Sequence, residues 1–198
     1  MKVLSSLLVL LFAAGNIAAQ GKVSLVRVES SIGYFTTQDQ ALAENTSAIT
    51  TAPGFGVSYK GAQPAFFVGV GFYSHKRLEI GMEAGYQYSS TDDSEYFGPQ
   101  GQILTESVSI SSFMITPKVR MNWIRSEDDI FEFYSSLNLG LAFSDYQYSI
   151  RTQENGSYPQ PTGHLCAAGL RFGKKFGGFM EIGIGNKGLM NFGLSYRP

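Results

Sequence analysis

The strongest constraint on how this chain can fold is the alternation of apolar residues with polar or very small ones at every second position. From Leu78 the even positions read Leu78, Ile80, Met82, Ala84, Tyr86 and Tyr88, and the odd ones Glu79, Gly81, Glu83, Gly85, Gln87 and Ser89. From Phe131 the odd positions give Phe131, Phe133, Ser135, Leu137, Leu139, Leu141 and Phe143, against Glu132, Tyr134, Ser136, Asn138, Gly140 and Ala142. The last stretch repeats the pattern, with Met190, Phe192, Leu194 and Tyr196 against Leu189, Asn191, Gly193 and Ser195. Successive side chains of a strand point to opposite faces, so a period of two gives each strand one apolar face and one polar or small face. A helix would need a period near 3.6, and 23 glycines alongside 15 Phe and 11 Tyr suit strands and turns better. The pattern predicts eight strands, near 23–36, 64–74, 77–90, 105–123, 130–148, 163–175, 178–185 and 188–197. In the fourth, Val108 and Ile110 share one parity while Phe113, Ile115, Val119, Met121 and Trp123 share the other. That phase change predicts a β-bulge near Ser111 and Ser112.

The links between these strands alternate in length. Those at His75-Lys76, 124–129 and Phe176-Gly177 are short, whereas 37–63, 91–104 and 153–162 are long, polar and rich in Gly, Pro, Ser and Thr. The link at Asn186-Lys187 is short and breaks the alternation. Short turns on one rim and long loops on the other are expected of an all-β fold, an eight-stranded antiparallel up-and-down transmembrane β-barrel. Ahead of it, Lys2, the apolar stretch from Leu7 to Ala14 and the small residues around Ala18-Ala19 predict an export signal over 1–19. That leaves 20–198 as a single barrel domain. Past the signal no apolar run approaches the roughly 18 residues of a membrane helix. Yet charged residues make up only 16% of the chain, against about 25% in a soluble domain. Taking Lys2 from the 15 basic groups leaves 14 against 16 acidic ones, a net charge of −2 that argues against nucleic acid as a partner. Cys166 is the single cysteine, so no internal disulfide holds the fold.

Two features turn the apolar face outward. The polar face is mostly Gly, Ser, Ala and Asn, which suits the crowded interior of a narrow barrel better than a solvated surface. Aromatic residues also gather near strand ends. Phe72, Trp123, Phe131, Phe172 and Tyr196 fall toward the short-turn rim, and Tyr34, Tyr86, Tyr88, Tyr146 and Tyr148 toward the long-loop rim. Two such girdles fit two membrane interfaces. The polar face carries five bases, Arg27, Lys118, Arg120, Arg171 and Arg197, and five acids, Glu29, Glu79, Glu83, Glu132 and Glu181. A matched set inside a narrow barrel neutralises itself, because isolated buried charges are costly. Glu79 and Arg197 lie nearest the rim and have the weakest claim to the set. The expectation is a filled, salt-bridged lumen rather than a charge-lined pore.

The eight alternating segments, the leading signal and the ending Gly188-Leu189-Met190-Asn191-Phe192-Gly193-Leu194-Ser195-Tyr196-Arg197 resemble the small outer-membrane β-barrel family of OmpX/OmpA type. The resemblance covers essentially the whole mature chain. It implies a porin-like barrel in the outer membrane of a Gram-negative bacterium, with a structural, adhesive or surface-recognition role and no catalytic residue. Family members commonly end in an aromatic residue read by the barrel-assembly machinery, and here Tyr196 is followed by Arg197 and Pro198. The expected partners are outer-membrane lipid, that machinery during biogenesis, and a protein partner met by the long loops. The barrel is expected to be a monomer without a cofactor. Three alternatives remain: a barrel accessory to secretion or assembly, a small lipid-modifying enzyme, and a soluble periplasmic lipocalin-like barrel with an apolar ligand.

An enzyme would need a nucleophile and a positioned base. His164, at the loop end of the sixth strand, is the best base, with Ser144 and Asp145 at the loop end of the fifth. No signature surrounds them, and no catalytic site is assigned. His75 sits in a tight turn. The two histidines and Cys166 are too dispersed for a metal site, and Cys166 reads as an inert thiol on the apolar face. Asp92-Asp93-Ser94-Glu95 and Glu127-Asp128-Asp129 read as solvated loops. Arg171, Lys174 and Lys175 fit either a solvated basic turn or a contact with anionic headgroups or the cell wall.

Overall fold

A computed structural model describes residues 25–34, 36, 63–73, 77–97, 103–149 and 156–198. The expected signal over 1–19, His75 and most of the loop at 37–63 lie outside the described residues. Eight strands follow in order: β1 (Leu25–Tyr34), β2 (Ala65–Tyr73), β3 (Leu78–Phe97), β4 (Ile103–Arg125), β5 (Phe131–Tyr148), β6 (Gly156–Phe172), β7 (Phe176–Gly185) and β8 (Met190–Tyr196). Each pairs antiparallel with the next, and β1 pairs with β8 from Val28↔Tyr196 to Tyr34↔Met190, closing an up-and-down barrel. Closure leaves the lower part without an edge strand, which is how a sheet without a flat apolar core avoids pairing with other chains.

The barrel is uneven in height. Strands β1, β2, β7 and β8 have 7–10 residues, whereas β3 to β6 have 17–23. Pairing of β3 with β2 stops at Phe66↔Tyr86, and β6 meets β7 only from His164↔Gly185. Meanwhile β3 and β4 stay paired to Phe97↔Ile103, and β5 and β6 to Tyr146↔Gly156. A four-stranded sheet therefore rises above the closed part, and its β3–β4 hairpin continues alone beyond Val108↔Tyr148, to about 35 Å above Tyr86 measured along β3. Much of the expected loops 91–104 and 153–162 is thus strand. The sequence there carries no alternation, but the backbone pairing with β4 and β5 continues the ladder. Pro159 and Pro161 lie where β6 has no β7 partner, an open edge on which a missing N–H costs no ladder bond.

The bulge expected at Ser111 and Ser112 is absent. Strand β4 keeps one phase, with Val108, Ile110, Ser112, Met114, Thr116, Lys118, Arg120 and Asn122 all buried on the inward side. Its register with β3 runs unbroken from Met121 to Val108. The pattern inverts because the interior itself turns apolar above Ser112: Val108 and Ile110 pack together against Tyr146 and Tyr148. Those two tyrosines share the inward phase of Tyr134, so they are not part of an outer girdle. The register irregularity of β4 lies lower, between Asn122 and Ile124. A further shift between Cys166 and Ala168 in β6 turns His164, Cys166 and Arg171 all inward. Cys166 is therefore fully buried in the lumen rather than exposed on the apolar face.

Burial is inverted relative to a water-soluble domain. Among the described residues, 25 polar or charged residues are buried against nine apolar ones, while 27 large apolar or aromatic side chains are exposed. Water-soluble proteins almost never fully bury Lys, Arg and Glu unless the charges are paired. The apolar face points out of the barrel all the way round.

Candidate functional site

The ten charged residues expected on the polar face all point inward and are buried. Glu29 on β1 is the hub. It accepts from Arg120 through both oxygens, at 2.8 and 2.9 Å, from Lys118 Nζ at 2.8 Å and from Arg27 at 3.3 Å. Arg27 also reaches Glu132 at 2.8 Å and Glu79 at 3.2 Å. Lys118 donates to Glu83 at 2.9 Å, and Asn138 Nδ2 donates to the other oxygen of Glu83. On β7, Glu181 accepts from Tyr134 Oη at 3.1 Å and Asn191 Nδ2 at 2.7 Å. The Arg120 guanidinium lies 4.0 Å from the Tyr134 ring centroid. Five strands thus send charges into one network, where low local polarity strengthens each charge-assisted bond. Glu79 belongs to this set through Arg27, and Arg197 pairs with Glu132, so neither stands apart at the rim.

Arg171 departs from the expected pairing. Its Nε donates to Ser195 Oγ at 2.6 Å, and its terminal nitrogens donate to the carbonyls of Gly173 and Lys174, the latter at 2.8 Å. It braces the turn between β6 and β7 from inside the barrel.

The residue that sequence reasoning missed is Lys187. Its Nζ donates to Glu83 at 3.1 Å and pairs with Glu181 at 2.8 Å, and the side chain is fully buried. It lies in the β7–β8 link, outside any alternating segment. That link folds into the lumen mouth instead of projecting. Asn186 N donates to Gly163 O at 2.9 Å and Leu189 N to Tyr34 O at 2.9 Å, tying the link to β6 and β1. Gly33 makes room: a Cβ there would lie 2.1 Å from the Lys187 carbonyl oxygen. One signal was available, since this was the single short link on the long-loop rim. The lumen also holds a small apolar cluster, with Ala65, Phe67, Met114 and Ala142 in contact.

Outside, Tyr34, Tyr86, Tyr88, Trp123, Phe172 and Tyr196 are exposed, and Phe72 and Phe131 are half-buried. The Phe131 ring packs at a tilt against Phe172 with centroids 5.2 Å apart, and Phe176 against Tyr196 at 4.7 Å. Between the ring positions lie aliphatic side chains such as Val68, Leu137, Leu139, Ile182 and Leu194.

His164 and Ser144 do not meet. Ser144 pairs across to Tyr158 and bonds Ser112 Oγ at 2.7 Å, whereas His164 pairs with Asn138. Six residues of β6 separate the two levels, about 20 Å along the strand. Asp145 is opposite Ser157, one step further. At the short-turn rim, Asp129 takes the left-handed conformation at φ 59°, and the bond from Arg125 Nε holds its carboxyl below the usual carboxylate range. The Ser126 hydroxyl does the same for Asp128.

No family model and no curated protein matches this chain. Among solved structures, it is similar to the crystal structure of Ail, the attachment invasion locus protein of Yersinia pestis, in complex with the heparin analogue sucrose octasulfate. That likeness has 9% identity, covers 88% of this chain and 97% of the other, and has a TM-score of 0.44. The structure of Yersinia pestis Ail in a phospholipid bilayer nanodisc is 14% identical over 87% of this chain and 99% of that one, with a TM-score of 0.36. Likenesses of this size say nothing of function.

Proposed function

We propose that the chain is an outer-membrane β-barrel with a sealed lumen that carries a recognition surface on its long-loop side. The inverted burial is the observation that carries this reading: charges and amides fill the inside, and a continuous apolar belt faces out. In water that belt would be an exposed patch far beyond what soluble monomers tolerate. In lipid it is the required surface, and the 7–10 residues of β1, β2, β7 and β8 approach the roughly 9–11 that a tilted spanning strand needs. Rings near both ends of the belt fit two interfaces. A lumen of fully buried Arg27, Arg120, Glu132 and Lys187 supports a plugged barrel rather than a pore. The raised β3–β6 sheet supports recognition, because its strands extend beyond the belt on the long-loop side. The separation of His164 from Ser144 favours a role without catalysis.

A heat-modifiability gel on outer-membrane extracts tests the reading. The unboiled band is expected to migrate differently from the boiled one, with the protein recovered in the membrane fraction. Recovery in the soluble periplasmic fraction without a band shift overturns it. In planar bilayers the refolded protein is expected to give no steady conductance; a stable ion-selective current would reject the sealed lumen.

A further inference from the structure

The short-turn rim holds an open recess of about 340 Å³, at the low end of the roughly 300–1,000 Å³ usual for small-molecule sites. Three separate segments build it: the β4–β5 turn, the β6–β7 turn and the chain after β8. They are tied by backbone bonds, from Gly173 N to Ile130 O at 2.8 Å and from Arg197 N to Lys175 O at 2.8 Å. The β6–β7 turn is also braced from inside by Arg171. The walls are therefore fixed before any ligand arrives. Four cations line the recess, Arg125, Lys174, Lys175 and Arg197, against two acids, Asp128 and Asp129. Arg125 bonds Asp129, and Arg197 pairs with Glu132. Among the described residues Lys174 and Lys175 have no ion pair, so the positive excess left after the Asp128 carboxylate is counted resides on them.

The level of the recess on the barrel matters as much as its charge. Phe172 immediately precedes the β6–β7 turn and Phe176 immediately follows Lys175, and both rings are exposed. Tyr196, packed against Phe176, immediately precedes Arg197. Trp123 is exposed two residues before Arg125. The cations thus stand one or two residues beyond the aromatic band, where headgroups follow acyl chains.

We propose that this recess binds the phosphate of an anionic phospholipid whose acyl chains lie along the Phe172, Phe176 and Tyr196 rings. The proposal rests on the membrane-spanning reading. Lys174 and Lys175 supply the charge, and the two turns supply a preformed seat.

The test compares refolded wild type with the exposed double variant K174Q/K175Q in dodecylmaltoside micelles. Native mass spectrometry counts the lipid retained as dimyristoyl phosphatidylglycerol or dimyristoyl phosphatidylcholine is titrated in. Wild type is expected to retain one phosphatidylglycerol in preference to phosphatidylcholine. The double variant is expected to bind phosphatidylglycerol about thirty-fold more weakly, from about 1 kcal/mol per basic residue at such a surface. Equal retention of both lipids by wild type, or an unchanged affinity in the variant, overturns the proposal. Displacement of the lipid by millimolar inorganic phosphate also overturns it, since the site would then serve soluble phosphates. Both proteins are run boiled and unboiled on the same gel. An intact shift without lipid preference defeats this site alone, whereas a missing shift in wild type defeats the membrane barrel itself.

Discussion

Replacing Glu29 by alanine is expected to lower the stability of the refolded barrel by about 3–5 kcal/mol, the range for removing one partner of a buried ion pair. Glu29 takes four bonds from three cations on two strands, so its loss leaves Arg120, Lys118 and Arg27 facing one another with fewer acceptors. None of these cations can reach water, because each is nearly or fully buried. The measurement is urea unfolding in lipid vesicles, followed by Trp123 fluorescence and by loss of the unboiled gel band. Arg120→Met alone should destabilise by a similar mechanism, since it removes two of the four bonds to Glu29. The double change Glu29→Met with Arg120→Met should cost less than the two single costs combined, because contacting charges couple. A Glu29→Ala cost below about 1 kcal/mol, the size of an exposed salt bridge, would mean that the network tolerates its hub's removal and does not hold the barrel together.

That dependence on one side chain clarifies which parts of the structure were legible beforehand. Where one face met the interior and the other did not, as along Leu78 to Tyr88 or Phe131 to Phe143, the period of two placed strands within a few residues. It failed wherever the two faces stopped differing. The sequences at 91–97 and 156–162 lack a period of two, yet the backbone ladder to β4 and β5 carries the strands through them. Val108 and Ile110 simulated a bulge because the interior changes from polar to apolar along β4, while the strand itself stays in phase. Cys166 was assigned to the wrong side because a shift two residues long in β6 re-aims its neighbours. Lys187 is a different case. Its role depends on a link folding inward over Gly33, which is a tertiary event with no local pattern. The charge count concealed it: a matched five against five left no reason to seek another cation, whereas Arg171 is diverted to turn carbonyls and Lys187 serves Glu83 and Glu181 in the lumen.

Changing Leu139 to arginine separates the two possible surroundings of the apolar belt more sharply than any change inside the lumen. Leu139 is 61% exposed on β5, flanked on the same face by Leu137 and Leu141 and opposite Gly163 on β6. It lies between Phe133 and Phe143 on the outward phase, away from both ends of the belt, so in a bilayer it stands near the midplane. There an arginine is expected to cost about 2–4 kcal/mol. In water, the same exposed substitution would change stability by no more than about 0.5 kcal/mol. Gln147→Arg serves as the internal reference. It lies on the same strand and phase, about 27 Å further along and on the raised sheet above the belt. Its expected effect is within about 0.5 kcal/mol in either environment. Urea unfolding of both variants in the same vesicles gives the difference directly. A large cost at Leu139 with none at Gln147 locates lipid around the belt and fixes its height on the barrel. Small costs at both would put water around Leu139, and the inverted burial would then need another apolar surface to cover it.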